Sequence, residues 1–217
     1  MPDDVVEGPN GDASGDVTAG DLVGGTVVGE DGVRRCPWGT SSPLYVEYHD
    51  TEWGRPVRGE QGLFERFSLE AFQSGLAWIT ILRKRPSFRR AFAGFDPEAV
   101  AAFDDEDVTR LLDDADIVRN GAKIRATIGN ARAVVAMRDE VDGGLDALVW
   151  SFAPAPGELP APRVLADVPA STPASVALAK ALRRHGFVFV GPTTAYAAMQ
   201  ACGLVDDHLT GCVARRG

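Results

Sequence analysis

The sequence predicts a mainly α-helical domain over residues 34–217, preceded by a disordered acidic tail over residues 1–33. Three observations predict this. Apolar residues recur at spacings of three and four from Leu63 onward, the period of a helix with a buried face. Residues suited to starting and stopping helices bracket those stretches. The one strand-like run, Phe187–Val190, is too isolated to build a sheet.

Taken in order, residues 1–33 hold eight acids (Asp3, Asp4, Glu7, Asp12, Asp16, Asp21, Glu30 and Asp31) with no Lys, Arg or aromatic residue. Such a stretch has too little apolar surface to offset the entropy of ordering it. The domain begins near Arg34. Leu63, Phe64, Phe67, Ala71 and Phe72 mark a helix. Asp96, Pro97 and Glu98 read as N-cap, first-turn proline and first-turn acid of a short helix through Phe103. Asp104 caps another that runs through Leu112. Ile124, Ile128, Ala131 and Val135 share one side of a helix from Ile124 to Met137. Ser171, Thr172 and Pro173 open a helix that His185 and Gly186 close, with glycine where a left-handed residue ends a helix. A last helix runs from Pro192 to Cys202 and stops at Gly203. Six prolines between Ala153 and Pro173 make that stretch a long ordered loop.

Composition narrows the function classes. The chain has 217 residues, 45% of them hydrophobic, and no apolar run reaches the roughly 18 residues a membrane span needs. No basic-then-apolar leader is visible, and three widely spaced cysteines do not form a disulfide framework. A reducing, cytoplasmic setting is expected. The net charge of −9 argues against a nucleic-acid partner only until it is mapped. Without residues 1–33 the chain holds 22 basic and 23 acidic residues, with basic runs at Arg83–Arg85, Arg89–Arg90 and Arg183–Arg184. A near-neutral domain can present a basic face to DNA.

Four of the six histidines and cysteines fall into two tight pairs, Cys36 with His49 and His208 with Cys212. Two thiolates and two imidazoles form a closed tetrahedral zinc set that leaves no position for a catalytic water. Such a site would tie the start of the domain to its end. The same residues also read as two free thiols and two ordinary histidines. Cys202 follows Met199 on an apolar helix face and belongs to the core.

Trp38, Tyr45, Tyr48 and Trp53 cluster beside the first pair, and Trp78 follows the helix that carries Glu70. Glu70 lies three residues after Phe67 and seven after Leu63, on the inward face. A carboxylate there needs a partner. Aromatics around one acid suit a flat cationic ring, through stacking, cation–π attraction and a charge-assisted hydrogen bond. Alternatively, the aromatics are core and Glu70 bonds an amide or an arginine. Between two of the helices, Ile117–Lys123 contains an apolar pair, Gly121 and a basic residue opening the next helix. This suits a hairpin that offers backbone amides to a DNA phosphate, although any interhelical turn can hold Gly and Lys.

These segments together resemble the 3-methyladenine DNA glycosylase I (Tag) family. The stretches that carry the resemblance are Arg35–Trp38, Pro43–Asp50, Glu52–Gly54, Leu69–Glu70, Gly75–Thr80, Phe95–Pro97, Ile128–Arg132, Val149–Phe152, Lys180–Leu182, Gly186–Phe187 and Met199–Leu204 through His208 and Cys212. The resemblance implies an all-α helix-hairpin-helix glycosylase fold. It implies one structural Zn2+ per chain on Cys36, His49, His208 and Cys212. It assigns Glu70, as the catalytic group, to recognition of a flipped base in a pocket drawn from Trp38, Tyr45, Tyr48, Trp53 and Trp78. Gly75 and Leu76 become the loop that fills the gap in the duplex, with Gly121 and Lys123 as further DNA contacts. The implied protein is a monomer acting on double-stranded DNA with alkylated bases, away from membranes.

The implied reaction hydrolyses the N-glycosidic bond of alkylated adenine and starts base excision repair. No Asp or Glu lies between Asp116 and Asp139, so the segment after the hairpin supplies no carboxylate base. That restricts substrates to bonds already weakened by alkylation. Two other readings compete. Lys123, one of three lysines, could form a Schiff base in a bifunctional glycosylase/lyase. A non-catalytic zinc-dependent DNA-binding module would need a basic recognition helix, which the sequence does not show.

Overall fold

Nine α-helices account for most of the regular structure in the computed structural model, which describes residues 22–23, 25–155 and 157–216. They are α1 (Pro43–Thr51), α2 (Glu60–Gln73), α3 (Trp78–Ala91), α4 (Pro97–Ala101), α5 (Asp105–Asp113), α6 (Gly121–Glu140), α7 (Gly144–Trp150), α8 (Pro173–Arg184) and α9 (Pro192–Ala201). Among the described residues, no helix is long and apolar enough to cross a membrane.

Helix starts fall where side chains can satisfy the first free amides. Asp96 accepts from the amide of Ala99, Asp104 from those of Glu106 and Asp107, and Thr172 from that of Ser175. Gly186 and Gly203 follow α8 and α9 at φ 91° and 71°, as their sequence positions require. At Gly203 a Cβ would come within 2.5 Å of the Arg55 backbone, so this glycine also permits a close chain crossing.

Helix α2 is the centre of the fold. Every residue from Leu63 to Gln73 is buried, and α2 packs against α3, α6, α7 and α9. A helix covered on all sides has no polar face to give away. Its charged residues must therefore be neutralised inside the protein or left uncompensated.

Three differences from the sequence expectation have physical causes. First, the boundary at residue 34 is too late. Strand β1 (Leu22–Val23) pairs antiparallel with β2 (Thr26–Val28), which pairs with β3 (Arg34–Arg35). Thr26 and Val27 are buried. Strands this short carry no readable period. The rest of the expected tail, residues 1–21 and 24, lies outside the described residues.

Second, α1, α3 and α7 form helices where no periodic pattern marks one. The basic run Arg83–Arg85 and the internal Pro86 obscure α3. The bonds of its basic residues explain the run: Arg85 donates to Glu52, Arg89 to Glu65, and Lys84 to the carbonyl of Ala115. These bonds tie α3 to its neighbours, while Arg83 stays exposed.

Third, Phe187–Val190 is a loop. The side chain of Asn130 on α6 clamps both backbone groups of Val188, accepting at 2.8 Å and donating at 3.1 Å, which takes the place of a strand partner.

Candidate functional site

The two ends of the domain meet at the first site. The amide of Val213 donates to the carbonyl of Arg34, so the chain segments holding Cys36 and Cys212 run side by side. His49 comes from the last turn of α1, and His208 lies five residues beyond the glycine that ends α9. One ligand atom from each of Cys36, His49, His208 and Cys212 lies within 4.8 Å of the others, and all four side chains are buried. Sγ of Cys212 lies 3.4 Å from Nε2 of His49 and 3.7 Å from Nδ1 of His208, and Sγ of Cys36 lies 3.9 Å from the latter. A tetrahedral zinc with Zn–S about 2.3 Å and Zn–N about 2.0–2.1 Å sets S···N edges of about 3.5 Å. The donor set fits such an ion in both chemistry and size.

The surroundings also aim the correct nitrogens inward. Nδ1 of His49 lies 2.7 Å from Oδ1 of Asp50, an acceptor, so Nδ1 carries the proton and Nε2 faces the thiols with its lone pair. Nε2 of His208 lies 3.1 Å from the carbonyl oxygen of Trp53, which frees Nδ1 in the same way. Asp50 is held in turn by Arg35, which also pairs with Asp31. Burial raises the pKa of Asp50, but Arg35 and His49 outweigh it and keep it ionised. The thiol of Cys212 is drawn toward thiolate first by the hydrogen bond from Cys36 and then by His208 and His49. Cys36 is raised, because it shares a proton with that thiolate and is buried.

The aromatic residues form one continuous cluster that begins on this wall. Trp38 packs edge-on against Trp53 at 4.9 Å, Tyr45 at 5.8 Å and His49 at 5.1 Å, and lies 6.4 Å from Tyr48. Trp53 stands edge-on to His208 at 4.6 Å. Tyr48 continues the cluster to Trp78 at 5.6 Å. Trp38 and Trp53 therefore serve the Cys/His cluster as well as any pocket. Tyr48 and Trp78 form the arm that leads away from it. The indole N–H of Trp78 is buried with no acceptor among the described residues.

Glu70 stands apart from the other buried charges of α2. Glu65 pairs with Arg89 at 2.8 Å and Arg66 with Glu52 at 2.8 Å, whereas no ion pair meets Glu70 among the described residues. It is 5% exposed. Burial pushes its carboxyl up to about 8, with the Arg66 charge acting in the opposite sense. Glu70 and Arg66 are also the neighbours that act electrostatically on Tyr48. What singles out Glu70 is this uncompensated charge. An inward face does not, because all faces of α2 are inward.

The predicted DNA contacts divide. Gly75, at φ 79°, turns the chain after α2 and presents Leu76, which is 37% exposed. Gly121 opens α6, whose capping residue Asn120 accepts from the amide of Lys123. Lys123 itself points inward. It is 7% exposed, and its Nζ donates to the carbonyls of Phe72 at 2.9 Å and Ser74 at 2.6 Å. Its ammonium is therefore engaged inside the protein.

Residues 38–216 match the methyladenine glycosylase family. The chain is 49% identical over 180 residues to DNA-3-methyladenine glycosylase 1 of Escherichia coli K12, covering 83% of this chain and 96% of that one. It is 44% identical over 181 residues to the DNA-3-methyladenine glycosylase of Haemophilus influenzae, covering 82% and 96%. A crystal structure of 3-methyladenine DNA glycosylase I superposes with a TM-score of 0.79 at 48% identity, over 84% of this chain and 100% of that one. A tyrosine-to-phenylalanine variant of such an enzyme, solved in complex with 3-methyladenine, superposes with a TM-score of 0.77 at 31% identity, over 83% and 96%. A glutamate-to-glutamine mutant from Staphylococcus aureus does so at 0.76, with the same identity and coverage.

Proposed function

This chain belongs to the methyladenine glycosylase family, and from that premise we propose that it releases 3-methyladenine from double-stranded DNA as a monofunctional glycosylase. The observation that carries the reading is Glu70: one buried carboxyl without an ion pair, beside the Tyr48–Trp78 arm of an aromatic cluster. An adenine methylated at N3 and still bonded to its sugar is flat and positively charged, and it satisfies both kinds of neighbour.

The reaction needs little help from acids or bases. Methylation at N3 makes the base a cationic leaving group. The enzyme extrudes the nucleotide, which costs least for a damaged pair. It then holds the base and lets water take its place at the sugar carbon. Glu70 accepts hydrogen bonds from the base edge once ionised, and normal adenine offers neither the charge nor the same donors. Leu76 fills the space the nucleotide leaves, and the free first amides of α6 at Gly121 and Ala122 receive a backbone phosphate. Lys123 does not form a Schiff base in this scheme, because its amine already bonds two carbonyls.

Cys36, His49, His208 and Cys212 would hold one structural zinc, whose chemistry when bound is cross-linking alone, with all four positions taken by protein. The protein acts as a monomer in a reducing, cytoplasmic compartment, where both thiols stay available as ligands. One experiment tests the function: chromatography of the bases freed from methylated duplex DNA. Release of 3-methyladenine well ahead of 7-methylguanine is expected, and no base release by folded protein overturns the reading.

A further inference from the structure

We propose that Lys123 is a positioning residue that fixes the turn carrying Leu76, and so links the hairpin helix α6 to the base pocket. The turn is a tight one. The amide of Leu76 donates to the carbonyl of Gln73 at 2.6 Å, Ser74 has φ −43° and ψ 117°, and Gly75 has φ 79°. These angles describe a type II turn, which needs a residue with positive φ at its third position. A Cβ built on Gly75 meets nothing within 4 Å, and Leu76 projects beyond the surface.

Lys123 holds the turn from behind. Its ammonium bonds Phe72 O, the carbonyl before the last residue of α2, and Ser74 O, inside the turn. The C-terminal end of a helix carries partial negative charge, and the first turn of a helix carries partial positive charge. Lys123 sits on the first turn of α6, so its own helix repels the ammonium while the end of α2 attracts it. Burial depresses its pKa, but the two carbonyls hold the cation in place. A single side chain thus sets three things in register: α2 with Glu70, the exposed Leu76, and Trp78 two residues further on. This rests on the reading of the site as a base pocket. Wild-type base release tests that reading separately.

The test combines Lys123→Met, Leu76→Ala and the double variant. Lys123→Met keeps the aliphatic stem and removes the bonds. Its affinity for free 3-methyladenine, read by tryptophan fluorescence, should stay within about twofold of wild type, while single-turnover excision from duplex DNA falls roughly 10- to 100-fold, as for a misplaced contact. A 2-aminopurine beside a tetrahydrofuran abasic site should report reduced insertion. The salt dependence of binding to that duplex should keep its slope, whereas loss of a phosphate contact lowers it by about 0.9. The double variant should be no worse than Leu76→Ala alone. Gly75→Ala strains the same turn without touching Lys123, and it should reproduce the pattern even if the methionine variant does not fold. Unchanged excision, a lower salt slope, additive losses in the double variant, or a Gly75→Ala variant with normal insertion would overturn the assignment.

Discussion

Nε2 of His208 bonds the carbonyl oxygen of Trp53 at 3.1 Å, a contact that joins the Cys/His cluster to the aromatic wall alongside the packing of His49 on Trp38 and of His208 on Trp53. The bond fixes the tautomer of His208, so Nδ1 faces Cys36 and Cys212. It also anchors the peptide that positions the Trp53 ring against Trp38. Stability and pocket shape are therefore coupled at this point.

Cys212→Ser should lower zinc content and melting temperature together. The metal would bridge residues 36 and 212, closing nearly the whole domain, and binding of this kind adds directly to folding free energy. Chelation of the wild type should give the same downward shift. Elemental analysis is expected to find one zinc per chain. A metal-free wild type of undiminished stability would show that the four residues form only a buried polar cluster.

Glu70→Gln should keep the fold and weaken recognition of the methylated base. The replacement is nearly isosteric but cannot offer a full charge, so affinity for 3-methyladenine should fall by about 1.5–3 kcal/mol, the usual worth of a hydrogen bond to a charged group. Isothermal titration with the free base measures this. Equal affinity in both proteins would remove Glu70 from the binding role.

The same substitution should stabilise the protein at high pH. The carboxyl of Glu70 is raised from 4.5 to about 8 by burial. Below the lower value both folded and unfolded states are protonated, and there is no penalty. Between the two values the unfolded chain releases the proton first, so stability falls as pH rises, and the penalty is complete above about 8. Glu70→Gln should thus be about as stable as wild type at pH 4 and more stable at pH 8, by on the order of 4 kcal/mol. A melting difference that does not change with pH would contradict the uncompensated burial.

Binding of the cationic methylated nucleotide, presented in duplex DNA, should also release a proton near pH 7. The ligand stabilises the ionised carboxylate, and Glu70 must lose the proton that burial lets it keep. Titrations in two buffers with different ionisation enthalpies should differ by the released fraction, and Glu70→Gln should abolish that difference. Identical heats for the wild type in both buffers would count against the linkage.

Truncation should separate two parts of the acidic N-terminus. Removing residues 1–33 deletes β2, the buried Val27 and the Asp31 partner of Arg35. Loss of Val27 burial alone costs roughly 1.5–3 kcal/mol. Removing only residues 1–21 keeps these contacts and should leave the melting temperature unchanged. Six of the eight acids of residues 1–33 lie in that shorter piece, so its removal should strengthen DNA binding slightly at low salt. Equal melting temperatures for the two truncations would mean that β2 contributes nothing.

By itself the sequence determined the helical class, the helix starts at Asp96, Asp104 and Thr172, and the stops at Gly186 and Gly203. It did so because capping and left-handed glycine are local requirements that nearby residues satisfy. It also marked the two Cys/His pairs and the acid among aromatics, since few residue types suit those chemistries. Only the tertiary structure decided what those groups meet. Glu65 and Arg66 find partners from α3 and from the end of α1, while Glu70 meets no ion pair, a distinction invisible to periodicity on a helix buried all round. The basic run of α3 reads as a surface in sequence, yet Arg85 and Arg89 close internal pairs. Lys123 reads as an outward cation, yet the end of α2 draws it inward. Strand β2 has too few residues to show a period, and is held by the chain it happens to pass. In each case the deciding partner lies on another element, and only packing brings it within reach.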